Sequence, residues 1–201
     1  MVFFRKQNDL DNELQKKLAQ RLGELSGKPA TSKLHIHPVS NSGRILGGKD
    51  NEISVISSEK AKVLFAERFG KDKRQSNKEG WHSDITFEPV PSDYAILRLT
   101  ELPETGGDTL WASGYEVYDR LSPAYQKFLE GLTATYAQPI FNESAEKNNF
   151  GLYSAERGAP ENVGTDLKAV HPVIRTNPVT GWKSVYAVGH HAKRINEVTK
   201  D

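Results

Sequence analysis

Apolar and polar positions along the chain fall into short blocks, each of which predicts an element. "VFFR" reads as a strand beginning at the second residue. Leu10, Leu14, Leu18, Leu22 and Leu25 then recur at three- and four-residue spacing, the period of one helix face. Asp9 or Asp11 can cap that helix, and Gly27, Lys28 and Pro29 stop it. "KLHIHPV" alternates and predicts a strand or an extended entry to one. "EISVIS" predicts another strand, after a turn at Gly47 and Gly48. The polar run "ERFGKDKRQSNKEG" predicts a mobile loop leading into "WHSDITFEP".

Further along, "DYAILRLTELP" has the apolar density of a buried strand, and "GGDTLWAS" reads as a tight turn into the next. "SGYEVYDRL" predicts a short helix. Ser122 and Pro123 supply the cap and first-turn proline for a second, which Gly131 closes. Residues 138–168 lack a strong period and read as a long irregular loop, a candidate lid. "KAVHPVIRTNPVTGWKSVYAV" predicts a hairpin about Asn177–Gly181, and "HHAKRINEVTKD" the start of a helix. These blocks predict one mostly-β domain with peripheral helices, an α+β arrangement.

Composition narrows the chemistry. The 201 residues carry 27 Lys and Arg against 26 Asp and Glu, which gives no electrostatic reason to expect nucleic acid or an anionic membrane as partner. With no cysteine, disulfides, zinc-thiolate sites and thiol nucleophiles are excluded. No apolar run approaches the ~20 residues of a membrane helix, and the amino terminus turns charged too soon for a secretory signal. A soluble, cytoplasmic protein is expected.

"WHSD" then raises a chemical possibility. On a strand, residues two apart share a face, so His82 and Asp84 can point together at a cation. An imidazole with a carboxylate suits iron(II) or manganese, as in the facial triad of two histidines and one carboxylate. Taken alone, most such pairs are ordinary polar residues on a strand's outer face. Of the other candidates, His171 before Pro172 reads as a structural hydrogen-bonder. One of His35 and His37 reads as solvated, and Trp81, Trp111 and Trp182 as core aromatics.

Five blocks in order, "VFFRKQ...LQKKLAQRLGEL", "LHIHPV", "GWHSDITF", "LPETGGDTLWASGYEVYDRLSP" and "HPVIRTNPVTGWKSVYAV", resemble the taurine dioxygenase family (TauD/TfdA type). The resemblance implies an iron(II)- and 2-oxoglutarate-dependent oxygenase on a double-stranded β-helix, a cupin-like jelly roll, with residues 1–201 forming a single domain. It makes His82 and Asp84 the first two iron ligands, and Thr109 the hydroxyl that helps hold a 2-oxoglutarate carboxylate. His37 becomes a donor to a substrate sulfonate, and Phe87 an aromatic wall of the substrate pocket. It also implies a small anionic substrate such as taurine, molecular oxygen, and ascorbate as a reductant, with an oligomer compatible. Oxidation of the carbon next to sulfur would release sulfite, succinate and carbon dioxide; relatives of this type also take alkyl sulfates or aryloxyacetates.

The family completes its site with a distal histidine and an oxoglutarate-binding arginine after a "WDNR"-like segment, which these 201 residues do not contain. His190 and His191 fall where the family has an ordinary loop, so neither is expected to replace that histidine. The resemblance therefore implies a jelly roll incomplete at both ends. Such a piece is expected to be inactive and poorly stable unless a partner supplies the missing strands, which leaves a non-enzymatic binding or assembly role as the alternative.

Overall fold

The computed structural model describes residues 1–41, 50–57 and 80–199. The expected Gly47–Gly48 turn and nearly all of the polar loop before Gly80 lie outside them. Among the described residues, four helices and five strands follow in chain order: α1 (Asn12–Leu25), α2 (Gly114–Asp119), α3 (Pro123–Glu130), β1 (Thr133–Ala137), α4 (Pro139–Lys147), β2 (Lys168–Pro172), β3 (Ile174–Thr176), β4 (Lys183–Val185) and β5 (Ala192–Ile195). No helix among them is long and apolar enough to cross a membrane.

Three of the described helices, α1, α2 and α3, begin where short polar side chains satisfy a first-turn N–H group. Asp11 accepts from Leu14 N at 2.8 Å, Ser113 from Glu116 N at 3.2 Å, and Ser122 from Tyr125 N ahead of Pro123. β1 is the centre of an antiparallel three-stranded sheet, β2–β1–β5, in which Tyr136 lies opposite Ala169 and Ala192. β3 and β4 form a separate hairpin with Ile174 opposite Val185. Leu129, Leu132, Ala134, Tyr136, Val173 and Ile174 fill the core between α3 and these strands.

Several expectations are corrected. The described chain is a mixture of helix and strand rather than mostly β, and its two small sheets neither complete nor exclude the expected jelly roll. "VFFR", "KLHIHPV", "EISVIS", "DYAILRLTELP" and "GGDTLWAS" form no ladder among the described residues. A strand needs a neighbour for its N–H and C=O groups, and Leu97, Leu99, Leu110 and Trp111 are correspondingly exposed. The hairpin holds only in its inner part, because Lys168–Pro172 pairs with β1 instead. "HHAKRINEV" yields β5 rather than a helix, since pairing with β1 decides its state. The stretch 138–168 contains α4, started by Pro139. Trp81, Trp111 and Trp182 are exposed rather than core residues.

Candidate metal and anion site

His82 and Asp84 meet, but not by the alternation of a strand. His82 makes a single antiparallel bridge with Gly189, and the chain then turns over residues 84–87. Ile85 sits at φ 47°, a left-handed conformation that costs a β-branched residue about 1–3 kcal/mol. The turn is held by Glu88 N–H donating to Ile85 O at 3.0 Å and by complete burial of Thr86, Phe87 and Glu88. It brings His82 Nε2 to 3.1 Å from Asp84 Oδ1, with the carboxylate open to solvent.

Hydrogen bonding fixes what that contact means. His82 Nδ1 lies 2.7 Å from Gly80 O, a carbonyl that can only accept, so Nδ1 carries a proton. A neutral ring then points the Nε2 lone pair at an anionic oxygen. A positive charge must sit between them, whether a second proton or a metal ion. Accordingly, the hydrogen bond to Asp84 raises the His82 pKa against the opposing effect of burial, and the same bond lowers that of Asp84. Two ligands at right angles on a first-row metal lie on the order of 3 Å apart, and a ligating histidine ordinarily gives its other N–H to a carbonyl or carboxylate. The pair fits iron(II) as two of its donors. Among the described residues no third histidine, aspartate or glutamate completes a metal-holding group with them.

His191 lies beside the pair, its ring 5.8 Å from that of His82, yet it is not placed to ligate. Its Nδ1 meets Thr86 Oγ1 at 3.2 Å and its Nε2 meets the Gln138 side chain at 3.3 Å. Burial pushes its pKa down to about 4, helped by His190 and His82, so it is neutral at pH 7. His190 also packs on His82, at 5.0 Å between ring centroids.

From His191 a line of ring contacts leads to the other expected residues. Phe87 packs on His191 at 5.4 Å and on Phe141 of α4 at 5.7 Å, and Phe141 packs on His37 at 5.3 Å. His37 Nδ1 accepts the backbone N–H groups of Val39 and Ser40 at 3.0 and 2.9 Å. Two donors at one nitrogen leave the ring proton on Nε2, so His37 is set as a hydrogen-bond donor. His35 is not the solvated partner expected beside it, because its Nε2 meets buried Glu88 at 3.1 Å. His171 does bond structurally, to Glu88 O at 3.0 Å.

Thr109 lies on an exposed stretch just beyond Gly106 and Gly107, both at positive φ. Sequence reasoning missed Phe141, Glu88 and Arg157, and it weighed His191 only as a replacement ligand, not for its place beside Phe87. Only Phe141 had a local signal, the proline that opens α4.

Similarity to known proteins bears on the chain as a whole. The chain is 48% identical to the alpha-ketoglutarate-dependent dioxygenase oryG of Aspergillus oryzae, over 99% of its own length and 57% of that protein. It is 42% identical to the alpha-ketoglutarate-dependent dioxygenase esdpJ of Penicillium shearii, over all of its length and 61% of that protein. It is 29% identical to an alpha-ketoglutarate-dependent sulfonate dioxygenase of Saccharomyces cerevisiae, over 84% of its length and 37% of that protein. The chain thus spans about three-fifths of the length of the first two curated relatives. A family model described as taurine catabolism dioxygenase TauD, TfdA family matches residues 1–201, and the chain belongs to that family.

Proposed function

We propose that this chain supplies the metal ligands and the anion donor of an iron(II)- and 2-oxoglutarate-dependent dioxygenase acting on a small sulfonate. The observation that carries the reading is the His82–Asp84 contact of 3.1 Å with Nδ1 tied to Gly80, an arrangement that a second proton or a divalent ion completes. The family match and the sulfonate dioxygenase among its relatives support the reaction class. Iron, when bound, supplies the oxidising chemistry that consumes oxygen and 2-oxoglutarate.

The chain's own residues do the rest. His82 and Asp84 hold the ion, and Gly80 keeps the His82 ring turned toward it. His37 offers Nε2–H to a sulfonate oxygen, a hydrogen bond strengthened by the substrate's charge. Phe87 and Phe141 line the path between these two poles and keep water from the target C–H bond. Thr109 is assigned to a 2-oxoglutarate carboxylate by the family resemblance. The proposed outcome is hydroxylation next to sulfur, after which the product collapses to an aldehyde and sulfite. The proposed architecture for the whole protein is the double-stranded β-helix.

Binding of Mn(II), as a stand-in for iron, tests the reading without requiring turnover. Titration is expected to show a site lost in both His82→Ala and Asp84→Ala; binding that survives both changes contradicts it. Sulfite release from taurine, compared with sulfate release from an alkyl sulfate, then decides the substrate class.

A further inference from the structure

A buried carboxylate that the proposed chemistry does not use lies directly behind the site. Glu88 is fully buried, and Arg157, also buried, grips it with two hydrogen bonds, Nε to Oε1 at 2.5 Å and Nη2 to Oε2 at 2.8 Å. His35 Nε2 reaches Oε1 at 3.1 Å. Arg157 spends its remaining Nη1 on Tyr153 O and Gly164 O, so the guanidinium is tied into residues 153–164. Those residues close on the His35 segment from the other side. Gly158 has φ +91°, and a Cβ there would lie 3.0 Å from Lys33 O and 3.1 Å from Leu34 O. Its carbonyl accepts from Lys33 N at 2.9 Å.

The Glu88 backbone is tied as well. Its N–H closes the Ile85 turn that carries Asp84, and its carbonyl accepts from His171 of β2. Four separate stretches of chain therefore converge on one residue. One bears His37, two residues beyond His35; another bears Asp84, four residues before Glu88. A well-packed apolar side chain generally stabilises such an interior at least as well as a buried ion pair does. What the pair adds is direction: a bidentate fork admits one relative placement of the segments it joins.

We propose that Glu88, clamped by Arg157 and His35, is a positioning residue that sets the distance between the His82–Asp84 pair and His37. This rests on the reading of the pair as metal ligands and of His37 as the anion donor. The carboxylate touches neither metal nor substrate; it acts through the two segments it holds.

The test uses the 201-residue chain loaded with Mn(II), and ethanesulfonate as the anion probe. Paramagnetic relaxation of the ethanesulfonate protons reports their distance from the metal, a quantity that a loss of stability alone does not move. His35→Leu cuts the link to the His37 segment while leaving the Glu88–Arg157 fork. It is expected to leave Mn(II) affinity near wild type, weaken ethanesulfonate about tenfold, and slow the probe's relaxation. His35→Gln, which restores a donor of similar reach, is expected to recover both. Unchanged ethanesulfonate affinity and relaxation in His35→Leu, with Mn(II) still bound, overturns the positioning role. A wild-type chain that binds no Mn(II) overturns the metal reading beneath it, which is a different result.

Discussion

At the scale of single residues, protonation states are set by who donates to whom. Two backbone N–H groups at His37 Nδ1 leave Nε2 as the donor. A glutamine can reproduce that donor and a leucine cannot. His37→Gln should therefore retain most of the affinity for ethanesulfonate, whereas His37→Leu loses about tenfold or more; a calorimetric titration of each variant checks this. Metal binding must also displace the proton that His82 shares with Asp84. Because Asp84 raises the His82 pKa, that proton is held to a higher pH than on an ordinary histidine. Mn(II) affinity is expected to rise with pH through the raised His82 value and to level off above it. His82 and Asp84 could be named from the His-x-Asp spacing, and His37 and Phe87 only through the family resemblance of the blocks around them. Glu88 and Arg157 could not be, since the side chains that join Glu88 to Arg157 and His35 lie 53 or more residues apart in sequence.

Elements were legible where their determinants are local. Asp11, Ser113 and Ser122 cap the helices that the leucine spacing, "SGYEVYDRL" and the Ser-Pro step predict. Strands were misread in both directions, because a ladder is decided by a partner. β1 has a short "TATYA" pattern yet pairs on both sides, whereas the more apolar "AILRL" pairs with nothing among the described residues. The stretch ahead of β5 matters most to the site. Gly189 has φ +75°, and a Cβ there would lie 2.1 Å from Trp81 O and 2.6 Å from His82 Cα. Since these are backbone atoms, Gly189→Ala must move the His82 segment. It is expected to lower Mn(II) affinity by about 10- to 100-fold, the range for lost support of a metal ligand, while circular dichroism stays near wild type.

For the whole molecule, the polar interior makes stability depend on acid. Glu88 is an anion whose burial opposes ionisation, but Arg157 and His35 outweigh that and hold its pKa below the usual range. Its contribution is thus complete above the unfolded value of 4.5, and is lost as pH falls through the folded one. His191 is depressed to about 4, so between roughly pH 6.5 and 4 the unfolded chain binds a proton that the folded chain refuses. Both groups destabilise the fold as pH falls, in adjoining windows. Thermal melts of the metal-free chain should show a falling midpoint from about pH 6.5 downward, and His191→Gln should flatten the upper part of that fall. Arg157→Ala strands Glu88 in the interior and is expected to cost about 3–5 kcal/mol in urea unfolding. Family membership was readable at this scale, since five ordered blocks span the chain. The balance of helix and strand was not, because extended segments were counted as strands before their partners were known.

The central claim is that an imidazole and a carboxylate near Gly80 hold one divalent ion. Electron spin-echo modulation of the Mn(II)-loaded chain measures it most directly, because a coordinated imidazole imprints its nitrogen on the echo. The account predicts nitrogen modulation that disappears in His82→Ala. Modulation that persists in that variant, or is missing from the wild-type complex, contradicts it.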